Sequence, residues 1–209
     1  MISDSIMNYV LTHSSAPDAL LDALERETHL KTMSPNMLSG AFQGRLLAMM
    51  SIMIKPKTIV EIGTFTGYAT HCLAEGLRED GLIHTFEINP ERESLIRKYF
   101  EMSPRASQLK LYIQDAKEGL PSIEEPFDLV FIDAAKKDNE WYYEYCLSRL
   151  SDDGWIFIDN ILWKGRVLSP IGDTDAETID SFNQKIAKDS RVKCLQLPLR
   201  DGLVLIRKS

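Results

Sequence analysis

Three polar side chains lie where two apolar runs end, and their types suit a hard cation. The run 127–132 leads into Asp133, and the run 154–158 leads into Asp159 and Asn160. Open α/β sheets bind ligands at the carboxyl ends of their strands, where neighbouring strands lie about 4.8 Å apart. Two carboxylates that close repel each other unless a proton or a cation separates them. Two carboxylates and an amide oxygen suit Mg²⁺, and no His or Cys lies near them in sequence to suggest zinc.

Lys136 adds a group that could move a proton at the same place. It follows Asp133 by three residues, just before a predicted helix, where a positive charge opposes the helix dipole. A lysine held over a cation site could accept a proton from a bound hydroxyl group or stabilise its loss. The same residues also have explanations that involve no reaction. The two acids could cap the helix or loop that follows each strand, and Lys136 and Lys137 could belong to a solvated charge cluster. For Lys137 we adopt the solvated interpretation.

A second set of residues predicts a ligand that contains a ribose. An apolar strand that carries Glu61 runs into Gly63, and the next strand ends at Glu87. An acid at the end of the second strand typically accepts hydrogen bonds from the two ribose hydroxyls. The dinucleotide fingerprint is absent because Phe65 takes the place of its middle glycine, and Glu61 would repel phosphate. S-adenosylmethionine, which has a ribose and no phosphate, therefore fits better, with a plain turn and solvated acids as the alternative.

Composition limits the classes of protein to which the chain can belong. With 209 residues, 44% of them hydrophobic, it can bury a large core as one domain. A formal charge of −7 disfavours binding of nucleic acid driven by charge. Cys72, Cys146 and Cys194 have neither metal nor disulfide spacing, so we expect reduced core thiols and a cytoplasmic location. The longest apolar stretch, at 46–54, is shorter than a membrane span requires.

Alternating strand and helix patterns place these residues in an α/β fold. The predicted strands are 58–62, 82–88, 109–113, 127–132, 154–159, 191–198 and 202–207. The predicted helices are 2–13, a second one capped by Ser15, 37–54, 67–79, 90–102, 115–120, 138–150 and 175–189. Apolar strands separated by helices form a parallel sheet covered on both faces, and the last two strands form an antiparallel hairpin. We therefore expect one domain over 1–209, with a helical extension at 1–56 and an α/β core at 57–209.

Four ordered motifs resemble the metal-dependent O-methyltransferases, a family that includes catechol O-methyltransferase and the caffeoyl-coenzyme A O-methyltransferases. The motifs are VEIGTFTGY at 60–68, FEINP at 86–90, FIDAAK at 131–136 and IDN at 158–160. The resemblance implies a Rossmann-like class I methyltransferase fold with a mostly parallel seven-stranded sheet that ends in an antiparallel hairpin, helices on both faces and an N-terminal helical extension. It also implies methyl transfer from S-adenosylmethionine to a hydroxyl of a small aromatic vicinal diol, with Mg²⁺ or another hard divalent cation such as Mn²⁺ or Ca²⁺.

The resemblance also assigns site residues. The metal ligands fall on Asp133, Asp159 and Asn160, and the catalytic lysine falls on Lys136. The cofactor contacts fall on Ser39, Gly40, Glu61, Gly63, Thr64, Ala69, Glu87, Ile88, Gln114, Asp115, Ala116 and Asp133. Ala69 replaces a serine that often binds the methionine carboxylate in the family. Met33, Trp163 and Arg166 are the expected substrate walls, with 161–175 as a loop on the substrate side.

Two other functions compete with this one. A tRNA hydroxyuridine O-methyltransferase belongs to the same family, and the acidic charge counts against it. A non-catalytic module that binds S-adenosylmethionine would have no use for a metal site and a base together. The family also implies a homodimer formed through the N-terminal helices, and we expect no membrane partner.

Overall fold

The sheet follows the predicted plan of parallel strands that end in a hairpin. The computed structural model describes residues 3–209, and its seven strands lie in the order β3-β2-β1-β4-β5-β7-β6. The strands are β1 (Thr58–Ile62), β2 (Leu82–Glu87), β3 (Leu109–Ile113), β4 (Phe127–Ile132), β5 (Leu150–Asp159), β6 (Val192–Leu197) and β7 (Leu203–Lys208). Strands β1 to β5 pair in parallel, whereas β7 pairs antiparallel with both β5 and β6.

Helices cover both faces of this sheet. They are α1 (Asp4–Thr12), α2 (Ala19–Lys31), α3 (Gly40–Ile54), α4 (Tyr68–Ala74), α5 (Glu93–Met102), α6 (Ala116–Gly119), α7 (Asn139–Arg149) and α8 (Thr174–Lys188). Every residue of β1 is buried, as expected for a central parallel strand with helices on either side. Alternate residues of the central strands feed two separate apolar cores, one on each face: Ile59 belongs to the first and Val60 to the second. The Rossmann-like arrangement is therefore confirmed.

The N-terminal helices pack onto the first of these cores. Leu24 of α2 and Leu47 of α3 are completely buried there, together with residues of the sheet. Because glycine weakens a helix, Gly40 and Gly44 predict close packing or the approach of a ligand at both positions. A Cβ atom at Gly40 would meet none of the described residues within 4 Å, so close packing does not explain Gly40. A Cβ atom at Gly44 would lie 2.7 Å from Tyr68 and 2.8 Å from Cys72 of α4, so α3 approaches α4 closely at this point.

Several sequence-based boundaries need correction. Asp18 caps α2, in place of the predicted Ser15, because its side chain accepts a hydrogen bond of 2.8 Å from the backbone N–H of Leu21. Strand β5 begins at 150 and not at 154, because Leu150 already pairs with Phe127, and the register with β4 shifts between this pair and the pair of Leu129 with Trp155. Cys72 and Cys146 are buried as expected, but Cys194 is exposed on β6 and is not a core thiol.

One helical stretch is longer than the sequence analysis allowed. Pro35–Ile54, which consists of a 3₁₀ turn at Pro35–Met37 followed by α3, has 20 residues and a mean hydropathy of 1.3, so its length and composition alone would permit a membrane span. The apolar segment that bears on a membrane span is therefore 35–54 and not 46–54. Leu47, Ala48 and Ser51 of α3 are buried in this fold. A core helix of this kind can have the same length and hydropathy as a membrane-spanning helix.

Candidate active site

Strands β4 and β5 bring the candidate metal ligands to one edge of the sheet. Ile132 pairs with Ile158, so Asp133 and Asp159 leave two adjacent strands at the same level. Asn160 has a φ of 59°, in the left-handed region that side chains other than glycine rarely adopt. The chain therefore turns directly after Asp159, so Asp159 and Asn160 need not point to opposite faces as neighbours in a continuing strand would.

The Asp159 carboxylate is buried and firmly held. Its Oδ2 accepts a hydrogen bond of 2.6 Å from Nε2 of Gln43, and its Oδ1 accepts one of 2.7 Å from the backbone N–H of Asn160. Burial, and then the negative charge of Asp133, raise the pKa of Asp159 to about 6. A divalent cation between the two carboxylates would offset both effects, so their environment fits a metal.

The side chain of Lys136 is directed at Asp133. Its Nζ lies 3.1 Å from Oδ1 of Asp133, and only 10% of the side chain is exposed. The solvated interpretation therefore fails for Lys136, whereas Lys137 is exposed as expected.

The candidate metal ligands offer oxygen atoms of two kinds. Within residues 3–209, no group of three or more His, Cys, Asp and Glu side chains is arranged to hold a metal ion. Asp133, Asp159 and Asn160 supply two carboxylates and an amide, which is an oxygen donor set suited to Mg²⁺ and poorly suited to zinc.

Glu61 is a buried acid with one oxygen left over. Its Oε2 accepts a hydrogen bond of 2.5 Å from Oγ1 of Thr85 and another from Oγ1 of Thr70. Its Oε1 is buried and has no hydrogen-bond partner among the described residues. Burial raises the pKa of Glu61 to about 8, with smaller contributions from Asp133 and Glu87. A buried oxygen without a donor is what a site for the ammonium group of S-adenosylmethionine would provide.

Glu87 also shapes the turn that follows β1. Its carboxylate accepts hydrogen bonds of 2.8 Å from the backbone N–H groups of Phe65 and Asn89. Arg92 donates to both of its oxygens, at 3.1 and 3.2 Å, and lies 4.7 Å from the centre of the Phe65 ring. A ribose bound at Glu87 would therefore compete with Arg92, which the sequence analysis did not single out.

Five further predicted cofactor residues lie on the turn after β1 and at the starts of α3 and α4. Thr64 is buried and shares a hydrogen bond of 2.6 Å with Thr85. Gly63 has a φ of 102°, and a Cβ atom there would lie 2.2 Å from the carbonyl oxygen of Asp133, so only glycine fits between β1 and β4. Ser39 and Gly40 begin α3, and Ala69 is buried in the first turn of α4.

The segment predicted to bracket adenine follows β3. Asp115 caps α6 by accepting a hydrogen bond of 2.9 Å from the backbone N–H of Lys117. Gln114 is half-buried, Ala116 is buried and Ile88 is 71% exposed. These positions follow the ends of β2 and β3, and their contact with the cofactor stays a prediction.

The predicted substrate residues do not form one wall. Met33 is fully exposed, so its side chain packs against none of the described site residues. Arg166 lies over the Trp163 ring, 5.7 Å from its centre, and pairs with Asp173. Nε1 of Trp163 is buried, and nothing in the described part of the chain accepts its hydrogen bond. This donor is available to a ligand, and the substrate roles of Met33, Trp163 and Arg166 stay predictions.

Residues 11–209 match the family described as O-methyltransferase. The chain belongs to this family. It is 32% identical to the catechol O-methyltransferase domain-containing protein 1 of Mus musculus, over 97% of this chain and 79% of that protein. It is also 32% identical to the caffeoyl-CoA O-methyltransferase of Mesembryanthemum crystallinum, over 99% of this chain and 87% of that protein.

Solved structures of other methyltransferases share the fold. The O-methyltransferase TomG of Streptomyces achromogenes, solved in complex with SAM, is 25% identical, with a TM-score of 0.90 over the whole of both chains. The SAH-bound methyltransferase PaMTH1 of Podospora anserina is 27% identical, with a TM-score of 0.91 over 99% of this chain and 94% of its own. The chain is accordingly an S-adenosylmethionine-dependent O-methyltransferase of the caffeoyl-CoA and catechol type.

Proposed function

We propose that this O-methyltransferase requires a divalent cation, with Mg²⁺ as the first candidate, and methylates one hydroxyl of a small aromatic vicinal diol. The observation that carries the proposal is the meeting of Asp133 and Asp159 at one sheet edge, with Nζ of Lys136 3.1 Å from Asp133. A buried acid next to a second acid and a lysine that is only 10% exposed is costly unless the group serves a charged ligand or a reaction.

Each residue has a role in this proposal. Asp133, Asp159 and Asn160 would hold the cation, which would supply two coordination positions for the diol and lower the pKa of one of its hydroxyls. Lys136 would take up the hydroxyl proton or stabilise the resulting negative charge. Because the reaction is then an in-line displacement at the sulfonium methyl group, the main task of the protein is to position the two reactants.

The cofactor would lie along the ends of β1 and β2. Glu61 would accept a hydrogen bond from the ammonium group, and Glu87 would accept from the ribose hydroxyls in place of Arg92. The segment from Gln114 to Ala116 would border the adenine.

Alternatives to a small aromatic acceptor remain within the family. A hydroxyuridine of tRNA is the second candidate acceptor, and the formal charge of −7 counts against it. A non-catalytic role is disfavoured because Lys136 stands beside Asp133 and not in solvent. We extend the proposal to a cytoplasmic location and to a homodimer. Exposed apolar side chains on the N-terminal helices support the homodimer, among them Tyr9, Met49 and Met53.

A screen of methyl acceptors tests the proposal. The purified enzyme would be supplied with S-adenosylmethionine and with catechol, a caffeoyl ester or undermodified tRNA, each with and without Mg²⁺. Guaiacol, which keeps one hydroxyl and carries a methoxy group in place of the other, is the matched control. We expect Mg²⁺-dependent methylation of catechol or the caffeoyl ester and none of guaiacol. Methylation of tRNA alone, or equal methylation of catechol and guaiacol, would contradict the proposal.

A further inference from the structure

Gln43 is a buried amide in a helix whose neighbouring residues are mostly apolar. It lies on α3, is 1% exposed and donates from Nε2 to Oδ2 of Asp159 over 2.6 Å. A buried amide is unfavourable unless its donor and its acceptor are both satisfied. Gln43 therefore needs a second partner for its carbonyl oxygen.

Arg200 supplies that partner from the opposite end of the chain. It lies in the turn between β6 and β7, and its Nη1 donates to Oε1 of Gln43 over 3.3 Å and to the backbone carbonyl of Ser39. Its backbone has a φ of 50°, which is unfavourable for any side chain other than glycine. The contacts to α3 give a reason for an arginine at a position that favours glycine.

The two contacts together set the orientation of the Gln43 amide. Rotating the amide by half a turn would exchange its oxygen and nitrogen, directing an acceptor at the Asp159 carboxylate and a donor at a guanidinium group. Both new contacts would be repulsive, because carboxylates only accept hydrogen bonds and arginine only donates them. Arg200 thus keeps the amide N–H on Asp159.

The oriented amide in turn fixes the Asp159 carboxylate. Gln43 holds Oδ2, and the backbone N–H of Asn160 holds Oδ1 over 2.7 Å, so the carboxyl plane is fixed from both sides. Groups that orient metal ligands in this way commonly change metal affinity by about 10–100-fold when they are removed.

We propose that Gln43, held by Arg200, is a positioning residue that orients Asp159 for a divalent cation. The inference rests on the proposed function, since it requires a metal at Asp159. It joins α3, the C-terminal hairpin and the end of β5 in one chain of hydrogen bonds. A purely structural role, in which the three residues only tie α3 to the hairpin, is the competing explanation.

Titration with Mn²⁺ alone, followed by calorimetry, separates the two explanations without any activity measurement. The variants are Gln43→Leu, Arg200→Met and the double variant, with thermal unfolding of each as a check on folding. Arg45→Met is the matched control, because Arg45 also lies on α3 but bonds to Glu75 and to the carbonyl of Ala16.

Gln43→Leu should weaken Mn²⁺ binding about 10–100-fold, and Arg200→Met should weaken it less. The double variant should match Gln43→Leu, because residues in one chain of contacts are not additive. Arg45→Met should bind Mn²⁺ as the unmodified enzyme does. Arg200→Met keeps the test decisive if Gln43→Leu fails to fold, since Arg200 is exposed.

The possible failures are distinguishable. If the unmodified enzyme does not bind Mn²⁺, the metal site of the proposed function is wrong and this inference falls with it. If the unmodified enzyme binds Mn²⁺ and the Gln43 and Arg200 variants bind it equally well, only this inference is overturned. Fully additive losses in the double variant would also overturn it, because Arg200 would then act independently of Gln43.

Discussion

Replacing Glu61 with glutamine removes a buried carboxyl group whose two oxygens have different surroundings. Oε2 accepts from Thr70 and Thr85, contacts that a glutamine carbonyl can keep, whereas Oε1 has no partner within residues 3–209. Glu61→Gln therefore separates the charge of this side chain from its packing. Two measurable properties should move in opposite directions, namely the stability of the free enzyme and its affinity for cofactor.

The effect on stability follows from the raised pKa. Burial raises the pKa of Glu61 from 4.5 to about 8, so the unfolded chain loses this proton first as the pH increases. Between pH 4.5 and 8 the folded state holds the extra proton, and the free energy of unfolding falls by about 1.4 kcal/mol per pH unit. Below pH 4.5 the folded protein keeps the full stabilisation that comes from protonated Glu61, and above pH 8 this stabilisation is completely lost. Over this window the loss amounts to about 5 kcal/mol at most, and we expect about 2–5 kcal/mol after local relaxation.

Urea unfolding of both proteins without cofactor, at several pH values from 5 to 8.5, measures the effect. The difference between the two curves should isolate Glu61, because Asp159, whose pKa is also raised, is present in both proteins. Glu61→Gln should gain stability relative to the unmodified enzyme as the pH rises. In calorimetry its affinity for S-adenosylhomocysteine should fall by about 1.5–3 kcal/mol, the usual effect of losing a charged hydrogen bond. Parallel stability curves together with unchanged affinity would refute the assignment of Oε1 to the cofactor.

Three further substitutions test other parts of the structure. Glu87→Ala should weaken S-adenosylmethionine binding by about 1.5–3 kcal/mol, and calorimetry that shows no change would reduce Glu87 to a support for the turn. Lys136→Met should lower kcat by about 10²–10⁴-fold with little change in cofactor affinity, whereas near-normal kcat at pH 7.5 would leave Lys136 as an ion-pair partner only. Gly76→Ala would place a Cβ atom 2.0 Å from the backbone of Ser51, so it should lower the free energy of unfolding by about 1–3 kcal/mol. An unchanged urea midpoint would show that α3 can move away from α4 at no cost.

The strands of the sheet and the helices on its two faces were predictable because the sequence patterns that specify them are local. Apolar runs of five or six residues bounded by helices gave β1 and β4 with the observed limits. The edge position of the candidate metal ligands also followed, since neighbouring parallel strands end together. Boundaries failed where two local signals competed, as at the start of α2, where Ser15 and Asp18 both favour a cap and only Asp18 provides one.

The groups that support the site could not be predicted in the same way. Gln43, Arg92 and Arg200 reach it from a helix, a turn and a hairpin, and the contact between Gln43 and Asp159 spans 116 positions in the sequence. One signal was available for Gln43, since a lone amide among apolar residues on a core helix needs a partner. No local pattern indicates which partner that is. For Arg200 the signal lies in its backbone conformation, which becomes visible only in the structure.

Methyl transfer by metal-free enzyme is the measurement that tests the proposed mechanism most directly. The enzyme would be treated with EDTA, freed of chelator and assayed with S-adenosylmethionine and catechol, before and after addition of Mg²⁺. If Asp133, Asp159 and Asn160 hold a cation that the reaction needs, activity should be lost after EDTA and restored by Mg²⁺, while affinity for S-adenosylhomocysteine changes little. Full activity in the metal-free enzyme would contradict the metal site and the roles assigned to its three ligands.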